Sequence, residues 1–295
     1  MMAASEELVA GFTGAGRRRE TFVARVLKCP TGAVGALLVG LVVFAAVAGP
    51  ALSPYDPLRA ELTERHRGVS LEHPLGTDFL GRDQLSRVLY GAGPSVFSAL
   101  GVMGATLLIA LVIGVTAGYL GGLVDAVLMR FVEVVLSFPT LILALAVAGF
   151  LGPGLQNALI ALVIVWWAGF ARIIRGQVLA VKAQQYVFAA EALGASRSGI
   201  VRRHVLPNIA SPVTVLATLD VGQVVLALAG LSFLNLGIQP PDAEWGRMVF
   251  DAKPYLERAP LQMAVPGAAI AITVLGFNLL GDAVRDALDP TTWRR

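Results

Sequence analysis

The chain has 295 residues, of which 56% are hydrophobic and only 15% charged, and it holds three histidines and one cysteine. A charged fraction well below the ~25% usual in soluble domains argues for a membrane protein, and the lone Cys29 excludes a disulfide framework or a multi-cysteine metal site. The formal charge of +3 does not point to nucleic acid, because the basic residues cluster beside apolar runs, the pattern of positive-inside topology.

Residues Met1 to Thr31 are polar and end in a basic group, Arg17, Arg18, Arg19, Arg25 and Lys28. No periodic pattern commits residues 1–31 to structure, so a disordered or partly helical cytoplasmic arm is expected. Val34 to Leu52 is the first apolar run, long enough for a transmembrane helix placed at 32–53. Ala46-Val47-Ala48 resembles a signal-peptidase site, but the long polar lead and the length of the run favour a retained anchor. Cys29 reads as a small residue at the membrane edge.

Residues 54–90 form a polar excursion with Pro54, Pro57 and Pro74, expected on the extracytoplasmic side. It contains His73-Pro74-Leu75-Gly76-Thr77-Asp78-Phe79-Leu80-Gly81-Arg82-Asp83. His73 with the aspartates suggests a metal or substrate site. Without a further His or Glu at ligand spacing, the segment reads instead as a loop braced by Asp78, Arg82 and Asp83.

A core domain at 91–290 carries the remaining apolar runs. The second is Pro94 to Tyr119, followed by a glycine turn. The third, Ala126 to Phe150, has Arg130 and Glu133 near its start and an internal Ser137-Phe138-Pro139. Pro139 frees a carbonyl and bends the helix, shaping either a translocation path or a packing contact. The fourth, Leu155 to Ile174, includes Trp166-Trp167, read as lipid-facing or packing residues in preference to residues lining a substrate path, with Arg172 and Arg175 at its end.

The fifth run, Ile209 to Leu236, is interrupted by Asp220. A central Asp costs ~2.5–3.5 kcal/mol, while each Leu, Ile or Val contributes about −0.3 to −0.6 kcal/mol, so the run inserts without a ligand pairing the acid. Asp220 reads as a lumen-facing polar group in a possible translocation path, with a coupling acid as the alternative. A second extracytoplasmic loop at about 238–260 precedes the sixth run, Leu261 to Leu280, and residues 291–295 form a cytoplasmic tail. Six spans place both termini on one side. The basic residues of the N-terminal arm and of the central polar stretch make that side the cytoplasm.

That central stretch, Tyr186 to Pro212, interrupts the apolar runs with polar and basic residues, and it must lie outside the lipid. Ala-Ala-Glu-Ala-Leu-Gly-Ala within it reads as a short cytoplasmic helix with a small-residue face, offered to a partner from a loop at about 180–207. Gly199 is expected to stop that helix, Leu206-Pro207 to end the element after it, and Asn208 and Pro212 to open the next membrane helix.

No G-x-x-x-x-G-K-[ST] occurs, nor H-E-x-x-H, nor G-x-S-x-G. The chain has no P-loop for a nucleotide and reads as a non-enzyme. Uphill transport would draw its energy from an ion gradient or from another polypeptide.

A-A-E-A-L-G-A-S, nine further residues and L-P-N resemble the coupling motif of ATP-binding cassette importer permeases, usually written E-A-A, three residues, G, nine residues, I-x-L-P. His73 to Arg87, Leu231 to Gly246 (L-S-F-L-N-L-G-I-Q-P-P-D-A-E-W-G) and Phe277 to Pro290 (F-N-L-L-G-D-A-V-R-D-A-L-D-P) resemble the C-type permease subunit of dipeptide, oligopeptide and nickel importers. The resemblance implies an all-α membrane protein of the type I importer permease fold, with six transmembrane helices and a cytoplasmic coupling helix, in the bacterial cytoplasmic membrane.

It further implies a heterodimer with a B-type permease, cytoplasmic ATPase subunits that bind ATP and Mg, an extracytoplasmic solute-binding protein and a peptide substrate, with no cofactor in this chain. Ala189, Ala190, Ala192, Leu193, Gly194 and Ala195 carry over to ATPase contact. The motif glutamate falls at Phe188, so the polar contact to the ATPase is either absent or relocated to Glu191, a coupling candidate that stands where a basic residue is frequent, and His204 replaces an isoleucine. In the fifth span Leu228 stands where a glutamate is frequent, and Asn235 replaces a glycine. A nickel or other small-solute permease is the alternative. An ion-coupled transporter would need more intramembrane charge than Asp220 and Glu133, and a membrane scaffold without transport fits the polar central stretch poorly.

Overall fold

The computed structural model describes residues 22–288 and is almost wholly helical, with no β-strand among those residues beyond a single bridge between Thr77 and Asp83. A short α1 (Phe22–Lys28) leads into α2 (Pro30–Leu52), and a long excursion connects it to α3 (Gln84–Leu120). Then come α4 (Gly122–Leu136), α5 (Thr140–Leu151) and α6 (Leu155–Lys182). The short α7 (Gln185–Ala192) and α8 (Arg197–Ile200) are next, and α8 runs through one wide turn, Val201–Val205, into α9 (Leu206–Phe233). The chain closes with α10 (Trp245–Ala252) and α11 (Leu261–Leu288).

Five helices, α2, α3, α6, α8–α9 and α11, are long and apolar enough to cross a bilayer, and α4 with α5 makes a sixth crossing if the bent pair counts as one. The long helices close a ring in which α6 packs on α3, α3 on α2, α2 on α11, α11 on α9, and α9 back on α3 and α6. Lipid gives no hydrophobic force between helices, so close van der Waals fit must hold them, and small residues permit it. The α3–α6 pair shows this: a Cβ on Gly114 would stand 2.7 Å from the Ala171 carbonyl oxygen, and one on Gly118 2.9 Å from Val178. Ala99, Ala110, Ala161, Ala168 and Ala171 are fully buried. Outward-facing Leu108, Val112, Leu123 and Phe150 stay exposed, as apolar surface meant for lipid or a partner would.

The third run is not one bent helix. α4 ends in two long bonds from Ser137 and Phe138 back to Val134 and Val135 (3.3 and 3.4 Å), Pro139 occupies the N-cap position of α5, and α4 and α5 meet at 86°. A proline with no N–H fits a helix start, so the sequence breaks the span instead of kinking it.

Residues 53–83 close one end of the bundle, and they are braced throughout. Asp78 accepts hydrogen bonds from the backbone of Leu80 and Arg82 and from the Arg82 side chain (2.8, 2.9 and 2.7 Å). Asp83 caps α3 by accepting from the Ser86 N–H at 2.8 Å. His73 is clamped between Asp83 (2.9 Å) and Glu64 (3.0 Å) beneath the ring of Tyr55. Burial pulls the His73 pKa down, but the hydrogen bonds and charges of Asp83 and Glu64 outweigh it and hold the imidazole above its usual value.

The second excursion folds onto the first. Glu244 caps α10 by accepting from Gly246 and Arg247 N–H groups, the Trp245 indole donates to Val88 O at 3.0 Å, and Gln262 donates to Thr77 O at 2.8 Å. This is the self-braced loop that the sequence suggests, with Glu64 as a partner that spacing does not reveal.

Residues 1–21 of the expected N-terminal arm and the tail at 291–295 lie outside the described residues. Cys29 sits at the N-cap of α2, with its thiol 3.0 Å from the Thr31 hydroxyl.

Candidate coupling surface and pathway cavity

The opposite end of the bundle carries α7 and α8. Lys182, at the end of α6, donates to the Tyr119 carbonyl at 2.8 Å, and Arg175 forms a two-pronged pair with Asp125 of α4. These bonds carry α6 past Ile174, the last residue of its apolar run, because carboxylate and carbonyl partners from distant sequence satisfy its cations.

The candidate coupling residues form one exposed element. In α7 only Val187 is buried, and it fixes the helix to the bundle. Ala189, Glu191, Ala192, Leu193, Gly194 and Ala195 are exposed, and Ala190 is half-buried. Phe188 and Leu193 stand 58% and 89% exposed. Such apolar groups on a polar rim mark a surface that another protein covers. Phe188, where the motif glutamate would fall, therefore offers apolar area in place of charge.

Gly194 ends α7. It adopts φ +83°, its N–H donates to Glu191 O, and the Ala195 N–H donates to Ala190 O, both at 3.0 Å. This pair of bonds is a Schellman cap, whose left-handed residue is normally glycine. Gly199, expected to stop this helix, lies inside α8 instead, where its N–H donates to the Ser196 hydroxyl at 3.2 Å.

Leu206-Pro207 does not end the next element either: α8, the wide turn and α9 form one continuous rod from Arg197 to Phe233. The wide turn skips the hydrogen bond that Pro207 cannot make, and Pro212 rides inside the rod. A polar recess of ≈610 Å³ lined by Ser196, Ser198, Arg202, Arg203 and His204 opens beside α7, with Tyr186 packed on the His204 ring.

Midway along the bundle, Asp220 faces a cavity of ≈290 Å³ whose wall includes Leu136, Thr140, Trp166, Phe170 and Ile173. Leu136 and Thr140 flank the break at 137–139, so the structure brings Asp220 and the Pro139 break to one space, although Pro139 itself does not line it. The two tryptophans part company. Trp167 is buried and stacks on Phe131 at 5.8 Å, whereas Trp166 lines this cavity and an apolar neighbour, also ≈290 Å³, walled by Leu141, Leu145, Leu226 and Leu231. Trp166 is thus a cavity residue, against the packing or lipid role that the sequence favours for both; nothing in the sequence separates the pair.

Two departures from the family pattern become intelligible. Asn235, in place of a glycine, keeps φ +64° and accepts from Arg247 with its side-chain oxygen. Asparagine tolerates that conformation better than most residues. Leu228, in place of a glutamate, is 1% exposed and packed in the core.

A family described as "Binding-protein-dependent transport system inner membrane component" matches residues 110–294. The chain is 42% identical over 270 residues to the dipeptide transport system permease protein DppC of Bacillus subtilis, a match covering 90% of this chain and 84% of that protein. It is 37% identical over 279 residues to the DppC of Alkalihalophilus pseudofirmus, covering 95% and 91%. With the nickel transport system permease protein NikC of Escherichia coli it shares 40% identity over 254 residues, covering 86% and 92%. A ring of apolar helices with one exposed polar-rimmed element, matched in this way over most of its length, belongs to the family of inner-membrane components of binding-protein-dependent transport systems.

Proposed function

We propose that this chain is the C-type permease half of an ATP-binding cassette importer for dipeptides and oligopeptides. It sits in the bacterial cytoplasmic membrane with both termini cytoplasmic, and it pairs with a B-type permease to form the translocation path. Cytoplasmic ATPase subunits hold ATP and Mg, and an extracytoplasmic binding protein delivers the solute. Asp220 and the break at Pro139 belong to the path.

The observation that carries this reading is the exposed turn from Ala189 to Ala195. It is a short capped helix held by one buried side chain, with Phe188 and Leu193 bare to solvent. Apolar side chains of that size are covered by a partner groove in which a helix can lie. The turn leads directly into the Arg197–Phe233 rod, so a groove that moves α7 moves a membrane helix. Peptide is favoured over nickel as substrate because several relatives are named for dipeptides and oligopeptides.

Reconstitution of the chain with its partner subunits in liposomes tests the proposal. Labelled di- and tripeptides should enter only with ATP and binding protein present. Uptake of nickel ions in place of peptides would reassign the substrate, and peptide uptake driven by an ion gradient without ATP would sink the reading altogether.

A further inference from the structure

Resting on the peptide reading, we infer that Asp220 and the cavity it faces form a binding subsite for the protonated amino terminus of the substrate. The cavity places one carboxylate among apolar and aromatic walls, halfway along α9 and against the middle of α6. No lysine, arginine or histidine among the described residues lines it. A carboxylate at such depth is costly unless it meets water or a cation, and acids in these positions mark the path of a charged cargo.

The compensation available within the chain is incomplete. The amino-terminal end of α5, at Thr140, reaches the cavity and brings about half a positive charge, which leaves the site net negative. The Trp166 indole turns its N–H edge to the carboxylate, a neutral donor that leaves the charge in place, and Phe170 supplies an aromatic face in the wall. An aromatic face attracts an ammonium group that a carboxylate already orients.

A bare divalent metal fits poorly. The wall offers Asp220 and the Thr140 hydroxyl but no imidazole or thiolate, whereas transition metals favour several nitrogen or sulfur donors. An ammonium needs only one strong acceptor and an aromatic flank. The neighbouring apolar cavity shares Trp166 and lies further along α9, with Gln223 in its wall. It suits the first side chain of a peptide whose amino terminus sits at Asp220.

The test compares complexes carrying unsubstituted chain, Asp220→Asn and Asp220→Glu in liposomes with binding protein. It records both uptake of a labelled dipeptide and ATP turnover. Asparagine keeps the shape and removes the charge. Uptake per ATP should fall about tenfold, the low end of the effect of losing a hydrogen bond to a charged group, while ATP turnover persists. Glutamate should restore most of it.

Normal uptake by the asparagine variant overturns the inference alone. So does equal failure of asparagine and glutamate, which would make shape the cause, or a parallel loss of ATP turnover, which would place Asp220 in coupling. No dipeptide uptake by the unsubstituted complex overturns the substrate reading and this inference with it.

Discussion

Gly194 offers the sharpest test of how the candidate coupling turn is built. Its φ of +83° lies in the left-handed region, and a Cβ built there meets no atom within 4 Å. A substitution therefore clashes with nothing in this chain, and its cost is backbone conformation alone. For an ordinary L-residue that cost is roughly 1–2 kcal/mol, a factor of about 5–30 between the capped turn and its frayed alternative. Asparagine tolerates the conformation better than alanine, and β-branched valine worse.

ATP-driven uptake should accordingly decline in the order Gly194, then Asn, then Ala, then Val, with insertion unchanged. If partner sterics governed instead, the order would track side-chain size, and alanine would outperform asparagine. Uptake assays on matched membrane levels of the variants separate the two. Valine equal to glycine, or alanine above asparagine, refutes the capping argument. Gly194→Glu adds both strain and charge to the exposed turn beside Leu193 and should abolish uptake while the protein still inserts.

The geometry sets three further outcomes. Gly114→Val forces a side chain against the Ala171 carbonyl and Ile174, which overpacking makes worth about 1–3 kcal/mol or more; thermal unfolding in detergent should show a lower midpoint, and an unchanged one contradicts the tight α3–α6 fit. Because the folded His73 pKa is raised, its contribution to stability is complete below the unfolded value near 6.5 and is lost as pH rises through the folded value. Protection of the 53–83 loop from hydrogen exchange should thus weaken across that window and lose its pH dependence in His73→Gln; the same profile in both proteins would clear His73 of the role. The purified chain without partner subunits should hydrolyse no ATP, and turnover tracking this polypeptide through purification would contradict the absence of a nucleotide site.

Much of the architecture is legible in the sequence because lipid imposes one rule, that apolar runs of sufficient length become helices. Helix ends are less legible, since they depend on partners far along the chain. α6 runs on to Lys182 because Asp125 and Tyr119 supply counter-groups, and α3 starts at Gln84 because Asp83 caps it. Gly199 and Gly194 look equally able to stop a helix; only the bonds from Gly194 and Ala195 back to Glu191 and Ala190 choose between them. Pro139 and Pro207 show the same ambiguity. One opens a helix and breaks a span, and the other is absorbed by a wide turn. Of the two candidate pathway residues, the acid at Asp220 stands out in an apolar run, but its cavity is made by α4, α5 and α6 and cannot be read from α9.

One continuous helix joins the two candidate regions. The rod from Arg197 to Phe233 begins just past the coupling turn and carries Asp220 at a distance of 20 residues from Ile200, about 30 Å at 1.5 Å per residue. A helix transmits axial displacement and tilt over that length because every turn is bonded to the next. The wide turn at Val201–Val205 is the exception and the natural place for the angle to change. Across the cavity, Thr140 begins α5 beyond a break at 137–139, where the long bonds from Ser137 and Phe138 back to Val134 and Val135 end α4 and the two helices meet at 86°. On the proposed reading, a tilt of the rod driven from α7 would change the width of the Asp220 cavity, because the cavity's opposite wall stands on α5, beyond the break. A disulfide joining α9 to α5 across that space should leave ATP turnover responsive to the binding protein and stop solute passage. Passage undiminished by the crosslink would mean that the cavity does not change as the engine turns.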